Sequence, residues 1–231
     1  MTPEKASAAS VCWSCQAVTA GEHFCPACGK IQPLPQGTDF FTFFGLPRKL
    51  QIDAAGLEQR FHKLSWQLHP DNFVRADERE RALSLERSSQ LNDAYRTLSD
   101  PIRRVEYLLA QAGLRKEGQH KQQAPPELLE EVFELNESLD ELRTVRKAGG
   151  NNGNLAELKK RLESEQKNFE CALAAVDAEL EDAFKQWDSA LHAGADEAAK
   201  SKLMARMNEL LNRRSYIRNL VAGVRQELAE A

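Results

Sequence analysis

Apolar residues recur at three- and four-residue intervals along most of this 231-residue chain, and that periodicity restricts it to helices packed on helices. From Asp53, a helix N-cap, the positions Leu57, Phe61, Leu64 and Leu68 form one stripe. The stripe stops at His69-Pro70, where proline forbids continuation. A second helix is expected over 77–98, with Leu91, Tyr95 and Leu98 on one face and an end near Ser99-Asp100-Pro101. A short helix carries Val105, Leu108 and Leu109 and stops at Gly113. A polar connector then runs to Pro125-Pro126. Beyond it, Leu128, Val132, Leu135, Leu139 and Leu142 form a stripe that the glycine- and asparagine-rich segment Gly149 to Gly153 interrupts. Two longer stripes follow, one from Leu155 through Leu162, Phe169 and Val176 to Trp187, the other from Leu203 through Met207 and Ile217 to Leu228. Three amphipathic helices with short connections imply an antiparallel bundle. The expected architecture is all-α, with a Cys-rich segment 1–37, a helical domain 38–112, a linker 113–126 and a three-helix bundle 127–231.

Composition narrows the function. Hydrophobic residues at 42% and charged residues at 29% give a soluble, globular balance. A net charge of −4 argues against general nucleic-acid binding, which needs clustered Lys and Arg. No apolar run reaches membrane-spanning length. The segment Met1 to Val11 has neither a signal-peptide apolar core nor an arginine, so a cytoplasmic location is expected. No nucleophile–base pair, phosphate-cradling glycine loop or pair of catalytic carboxylates stands out, so the chain is not expected to be an enzyme.

Cys12-Trp13-Ser14-Cys15 and Cys25-Pro26-Ala27-Cys28 are separated by nine residues. Each C-x-x-C places two sulfurs on one side of a tight turn, and two such turns supply the four sulfurs of a tetrahedral site. Gly29 suits the turn after Cys28. A thioredoxin-type dithiol would need a βαβ context, and haem attachment would need a histidine where Gln16 and Gly29 stand. Zinc in a structural role is the expectation, with a rubredoxin-like iron site the alternative. His23 is superfluous as a ligand, and Cys171 is expected to be an inert helix thiol.

His69-Pro70-Asp71 lies between two helical stripes, and the helix before it carries Arg60, Lys63 and Gln67 opposite its apolar face. With Asp39-Phe40-Phe41 before Leu46, and with the run Leu91 to Pro101 that reads LNDAYRTLSDP, this stretch resembles a J-domain. The resemblance implies binding to a DnaK-class ATPase chaperone. His69, Pro70 and Asp71 would trigger its ATP hydrolysis, while Arg60, Lys63 and Gln67 would attach to it.

Asn72-Phe73 after the tripeptide, Arg103-Arg104-Val105-Glu106-Tyr107-Leu108-Leu109, and the acidic, Leu-rich helix after the linker are similar to the HscB family. The four-cysteine start resembles the longer HscB form of animal mitochondria, which carries a zinc knuckle. A general J-protein for unfolded clients, the rival reading, would continue with a Gly/Phe-rich linker that this chain lacks.

The helix after Pro126 has a further feature. Leu129 and Phe133 lie roughly 100–140° from its core stripe, with Glu130, Glu134 and Glu137 beside them. Apolar groups ringed by carboxylates suit either a protein-binding patch or packing at a domain junction. The HscB resemblance implies the former. It makes Leu129, Phe133, Glu134, Glu137 and, on the last helix, Tyr216 the contacts for an IscU-type iron–sulfur scaffold. Glu130 departs from the apolar residue of that pattern. The implied partners are thus an HscA/DnaK-class chaperone and the scaffold, with the chain itself a monomer or weak dimer.

Overall fold

The computed structural model describes residues 10–35, 37–115, 128–147 and 152–230. Among them, strand structure is confined to a short ribbon, β1 (Ser10–Val11) paired antiparallel with β2 (Val18–Thr19), and an isolated bridge from Phe24 to Ile31. Helices α1 (Phe40–Phe43), α2 (Ala54–Leu68), α3 (Glu78–Ser99), α4 (Pro101–Gln111), α5 (Leu129–Lys147), α6 (Asn152–His192) and α7 (Glu197–Glu230) follow, with a 3-10 turn at Pro70–Phe73. The fold is therefore all-α with a small cysteine-bearing ribbon, as the periodicity requires. No helix among the described residues is long and apolar enough to cross a membrane. The chain divides into two compact units, Met1–Arg104 and Val105–Ala231, so α4 begins in one and ends in the other. Residues 1–9 and 36 of the expected Cys-rich segment, 116–126 of the expected linker and 149–151 of the glycine-rich interruption lie outside the described residues.

In the first unit, local capping fixes where the helices begin. Asp39 accepts from the Thr42 N–H at 2.9 Å and caps α1, whose Phe41 and Phe43 are buried. Asp53 accepts from the Ala55 and Gly56 N–H groups and caps α2 as expected. Leu57 and Leu68 are buried, and Phe61 stacks on Tyr95 of α3 with ring centroids 4.1 Å apart. Because Pro70 ends α2, the Leu68 carbonyl lies among the helix's unsatisfied last acceptors. The hydroxyls of Ser84 and Ser88 donate to it from α3, at 2.7 and 3.0 Å. Polar residues on the buried face of α3 thus close the end of α2.

Arg104 makes a second polar closure. It is buried, and its guanidinium donates to the carbonyls of Leu98, at 2.7 Å, and Leu50. Replacing Arg104 with Leu removes both of these buried hydrogen bonds, at a cost of about 3 kcal/mol in the first unit's stability. The same change at exposed Arg103 should stay within about 0.5 kcal/mol. Denaturant unfolding of both variants checks this, and equal effects would show that the carbonyl contacts contribute nothing.

In the second unit α6 packs along α7, and α5 lies on α6. Leu135, Leu142, Leu162, Val176, Leu180, Met207, Ile217 and Val224 form the core. Phe184 and Leu211 are buried too, outside the stripes read from the sequence. A helix that meets neighbours on two sides needs a wider apolar face than one stripe. Asp177–Arg214 at 2.5 Å and Glu170–Arg225 at 2.7 Å pair α6 with α7 along their length.

Candidate functional site

Three groups of residues carry chemistry, and the cysteines come first. The four Sγ atoms of Cys12, Cys15, Cys25 and Cys28 lie within 4.8 Å of one another. Cys12 and Cys28 are 3.7 Å apart, and Cys15 and Cys25 are 3.6 Å apart. Tetrahedral ligation with metal–sulfur bonds of about 2.3 Å puts sulfurs about 3.8 Å from each other, so the donor set fits a metal ion. All four cysteines are free of disulfides.

Both turns close alike. Gln16 donates to the Cys12 carbonyl and Gly29 to the Cys25 carbonyl, at 3.1 and 2.9 Å. Gln16 and Gly29 both adopt left-handed backbone, at φ 64° and 73°. The sequence pointed to Gly29 alone, because glutamine seldom adopts that conformation. Burial works against ionising Cys12, yet N–H groups of Cys15 and Ser14 outweigh it and lower its thiol to about 6. At Cys28 the Lys30 N–H favours the thiolate, but burial and the crowding sulfurs outweigh it and push the thiol up to about 12. Sulfurs this close cannot all be thiolates without a cation among them.

His23 is not a ligand. Its Nε2–H donates to the Phe43 carbonyl at 3.0 Å, and its ring meets Phe43 edge-on at 4.6 Å. Burial, reinforced by the Arg87 charge, holds it below the usual imidazole range. The cysteine segment therefore packs on the helices of its own unit. Cys171, in the second unit, is an exposed free thiol on α6.

The His-Pro-Asp turn joins α2 to α3. His69 Nδ1 accepts from the Asp71 N–H at 3.2 Å, and the Asn72 side chain donates to the Trp66 carbonyl at 2.6 Å. The Asp71 carboxylate stands out into solvent, with its side chain 84% exposed. Lys63 is exposed and Gln67 half-buried. Arg60 spends one N–H on the Phe44 carbonyl at 3.1 Å, so it ties α2 to the end of α1 as well as carrying charge. The sequence reading missed Trp66, which is 76% exposed one turn before the motif. Its signal was its position off the Leu57–Leu68 stripe.

On α5, Leu129 and Phe133 are 55% and 71% exposed, and Glu134 and Glu137 are exposed beside them. The ion pairs of α5 among the described residues use Asp140, Arg143 and Arg146, which leaves those glutamates without a cation. A cavity of about 150 Å³ opens beside Glu134, floored by Leu128 and Phe169 and edged by Glu131 and Glu165. Tyr216 stands on a different helix, α7, and is half-buried.

No family model matches the chain. A co-chaperone protein HscB homolog of Vibrio vulnificus (strain YJ016) is 38% identical over 171 residues, covering 74% of this chain and 93% of its own. One from Vibrio cholerae serotype O1 is 33% identical over 175 residues, covering 76% and 95%. Among solved structures, human co-chaperone HscB superposes with a TM-score of 0.59 at 23% identity, covering 96% of this chain and all of its own. That likeness shows a shared fold. Chaperone HscB from Vibrio cholerae gives 0.50 at 28% identity, covering 83% and 98%.

Proposed function

This chain belongs to the HscB co-chaperone family, and we propose that it delivers an IscU-type iron–sulfur scaffold to an HscA/DnaK-class chaperone and stimulates that chaperone's ATPase. The observation that carries the reading is the His69-Pro70-Asp71 turn, with the Asp71 carboxylate projecting into solvent between α2 and α3. In this reading 38–112 is the J-domain and 127–231 the scaffold-binding bundle, joined by 113–126. His69, Pro70 and Asp71 deliver the signal, and Arg60, Lys63 and Gln67 attach the J-domain to the chaperone. Leu129 and Phe133 enter the scaffold interface while Glu134 and Glu137 meet its basic groups, with Tyr216 a further contact from α7. The chain does no covalent chemistry and acts in the cytoplasm as a monomer or weak dimer.

The mechanism is linkage. Scaffold and J-domain each favour the chaperone's closed state, so their effects on ATP hydrolysis multiply. Steady-state ATPase of the cognate chaperone, with this protein and with or without scaffold, tests the reading. Stimulation with scaffold should approach the product of the separate effects and clearly exceed their sum. Stimulation indifferent to scaffold would indicate a general J-protein for unfolded clients, and none at all would refute the co-chaperone role.

Cys12, Cys15, Cys25 and Cys28 hold zinc in this reading, with iron the alternative that elemental analysis separates. Four sulfur ligands leave no open position, so the ion supplies structure only. Replacing Cys25 and Cys28 with Ser should take metal content from one ion per chain to near zero. Full metal retention would refute the assignment.

A further inference from the structure

We propose that the cysteine knuckle braces the His-Pro-Asp turn, with Lys30 as the positioning residue. Lys30 lies two residues beyond Cys28, and its ammonium reaches across to the first turn of α3. It meets Asp77 Oδ2 at 3.1 Å and Glu80 Oε2 at 2.7 Å. Asp77 is the N-cap of α3, and its other oxygen, Oδ1, accepts from the Glu80 N–H at 2.9 Å. Lys30 therefore holds the group that starts the helix.

The other cysteine turn arrives at the same place. Trp13, between Cys12 and Cys15, donates its indole N–H to the Ile31 carbonyl at 2.7 Å. Its ring carries the Lys30 ammonium 5.1 Å from the centroid and the Arg79 guanidinium, from α3, at 4.6 Å. The first turn thus supplies the ring and the second the ammonium, and the sulfurs that close the two turns on each other help to hold them together.

The consequence falls on the turn. Toward α2, it is fastened by Asn72 on the Trp66 carbonyl. Toward α3, it is fastened by Ala76 N–H on the Phe73 carbonyl and by the Asp77 cap. Fixing Asp77 fixes the downstream end of a segment only a few residues long. Each contact is individually modest, because Lys30 is partly exposed. The effect is accordingly local, a change in how often the first turn of α3 opens.

This brace rests on the metal assignment above and bears on ATPase stimulation through the role proposed for His69-Pro70-Asp71. Its test needs no chaperone. Amide hydrogen exchange is followed on the full chain in three forms: metal-loaded, chelator-stripped, and Lys30→Ala with metal content confirmed. Residues 72–81 should exchange several-fold faster in the last two forms, while α6 and α7 stay unchanged. Glu80→Gln removes the shorter of the two Lys30 pairs, keeps the Asp77 cap and the Lys30–Asp77 pair, and should give a smaller acceleration over the same residues if Lys30→Ala does not fold. Wild-type exchange at 72–81 in a metal-loaded Lys30→Ala protein would overturn the proposal. So would loosening spread evenly over the first unit on stripping, since that would make the knuckle a general folding element. A wild-type protein that fails to stimulate the chaperone would refute the functional reading and leave this result standing.

Discussion

Replacing His69 with glutamine is expected to return the chaperone's ATPase to its unstimulated rate while scaffold binding keeps its wild-type affinity. The imidazole is half-exposed and its structural duty is local, accepting the Asp71 N–H through Nδ1. The buried end of α2 is closed elsewhere, by Ser84 and Ser88 on the Leu68 carbonyl. The substitution should therefore cost less than about 0.5 kcal/mol of stability, as exposed changes usually do. Glutamine offers an acceptor on a longer, freer side chain, so the turn survives with its presentation blurred. ATPase at saturating co-chaperone, with an unfolding curve on the same preparation, checks both halves. A variant keeping more than half of the stimulation would show that this tripeptide does not deliver the signal. A variant that loses stimulation and stability together would trace the loss to folding instead.

What was legible in the sequence is what has a local period or a local motif. The stripe Leu57 to Leu68, the Asp53 cap and the stop before Pro70 need only neighbours along the chain, and all three appear in α2. The four cysteines were legible because C-x-x-C fixes two sulfurs by itself, and the structure brings both pairs together. The angle of Leu129 and Phe133 to the α5 stripe set them off the core but left open a binding patch or a packed junction, and both side chains are exposed. Pairings between distant segments were not legible. Nothing near Arg104 names Leu50 as its acceptor, and nothing near Lys30 names Glu80. Arg60 read as a surface cation because the carbonyl it binds, at Phe44, belongs to another helix. Buried Ser84 and Arg87 break the apolar face of α3, so periodicity undercounts what that helix buries. The division of the chain within α4 likewise depends on contacts between segments, where composition points only to the polar connector.

Phe133→Ala should separate binding from folding more sharply than any other change on α5. The ring is 71% exposed, so its loss should move folding stability by less than about 0.5 kcal/mol. Leu135, two residues away and 1% exposed, is the opposite case, and Leu135→Ala should cost about 2–5 kcal/mol. For binding the order reverses. An aromatic at the centre of an interface, ringed by groups that exclude water, typically costs about 2 kcal/mol or more on truncation. That is roughly a 30-fold rise in the Kd for scaffold. In the proposed interface Glu134 and Glu137 would lie at the edge, where charge acts mainly on the association rate and is screened by salt. Their Gln variants should therefore slow association at low ionic strength, whereas Phe133→Ala should speed dissociation at any salt. Kinetic binding measurements at two salt concentrations distinguish these. Scaffold stimulation should return at high scaffold concentration in Phe133→Ala, because the His-Pro-Asp turn is untouched. Wild-type dissociation in that variant would remove α5 from the scaffold interface, and the exposed ring would then need another partner.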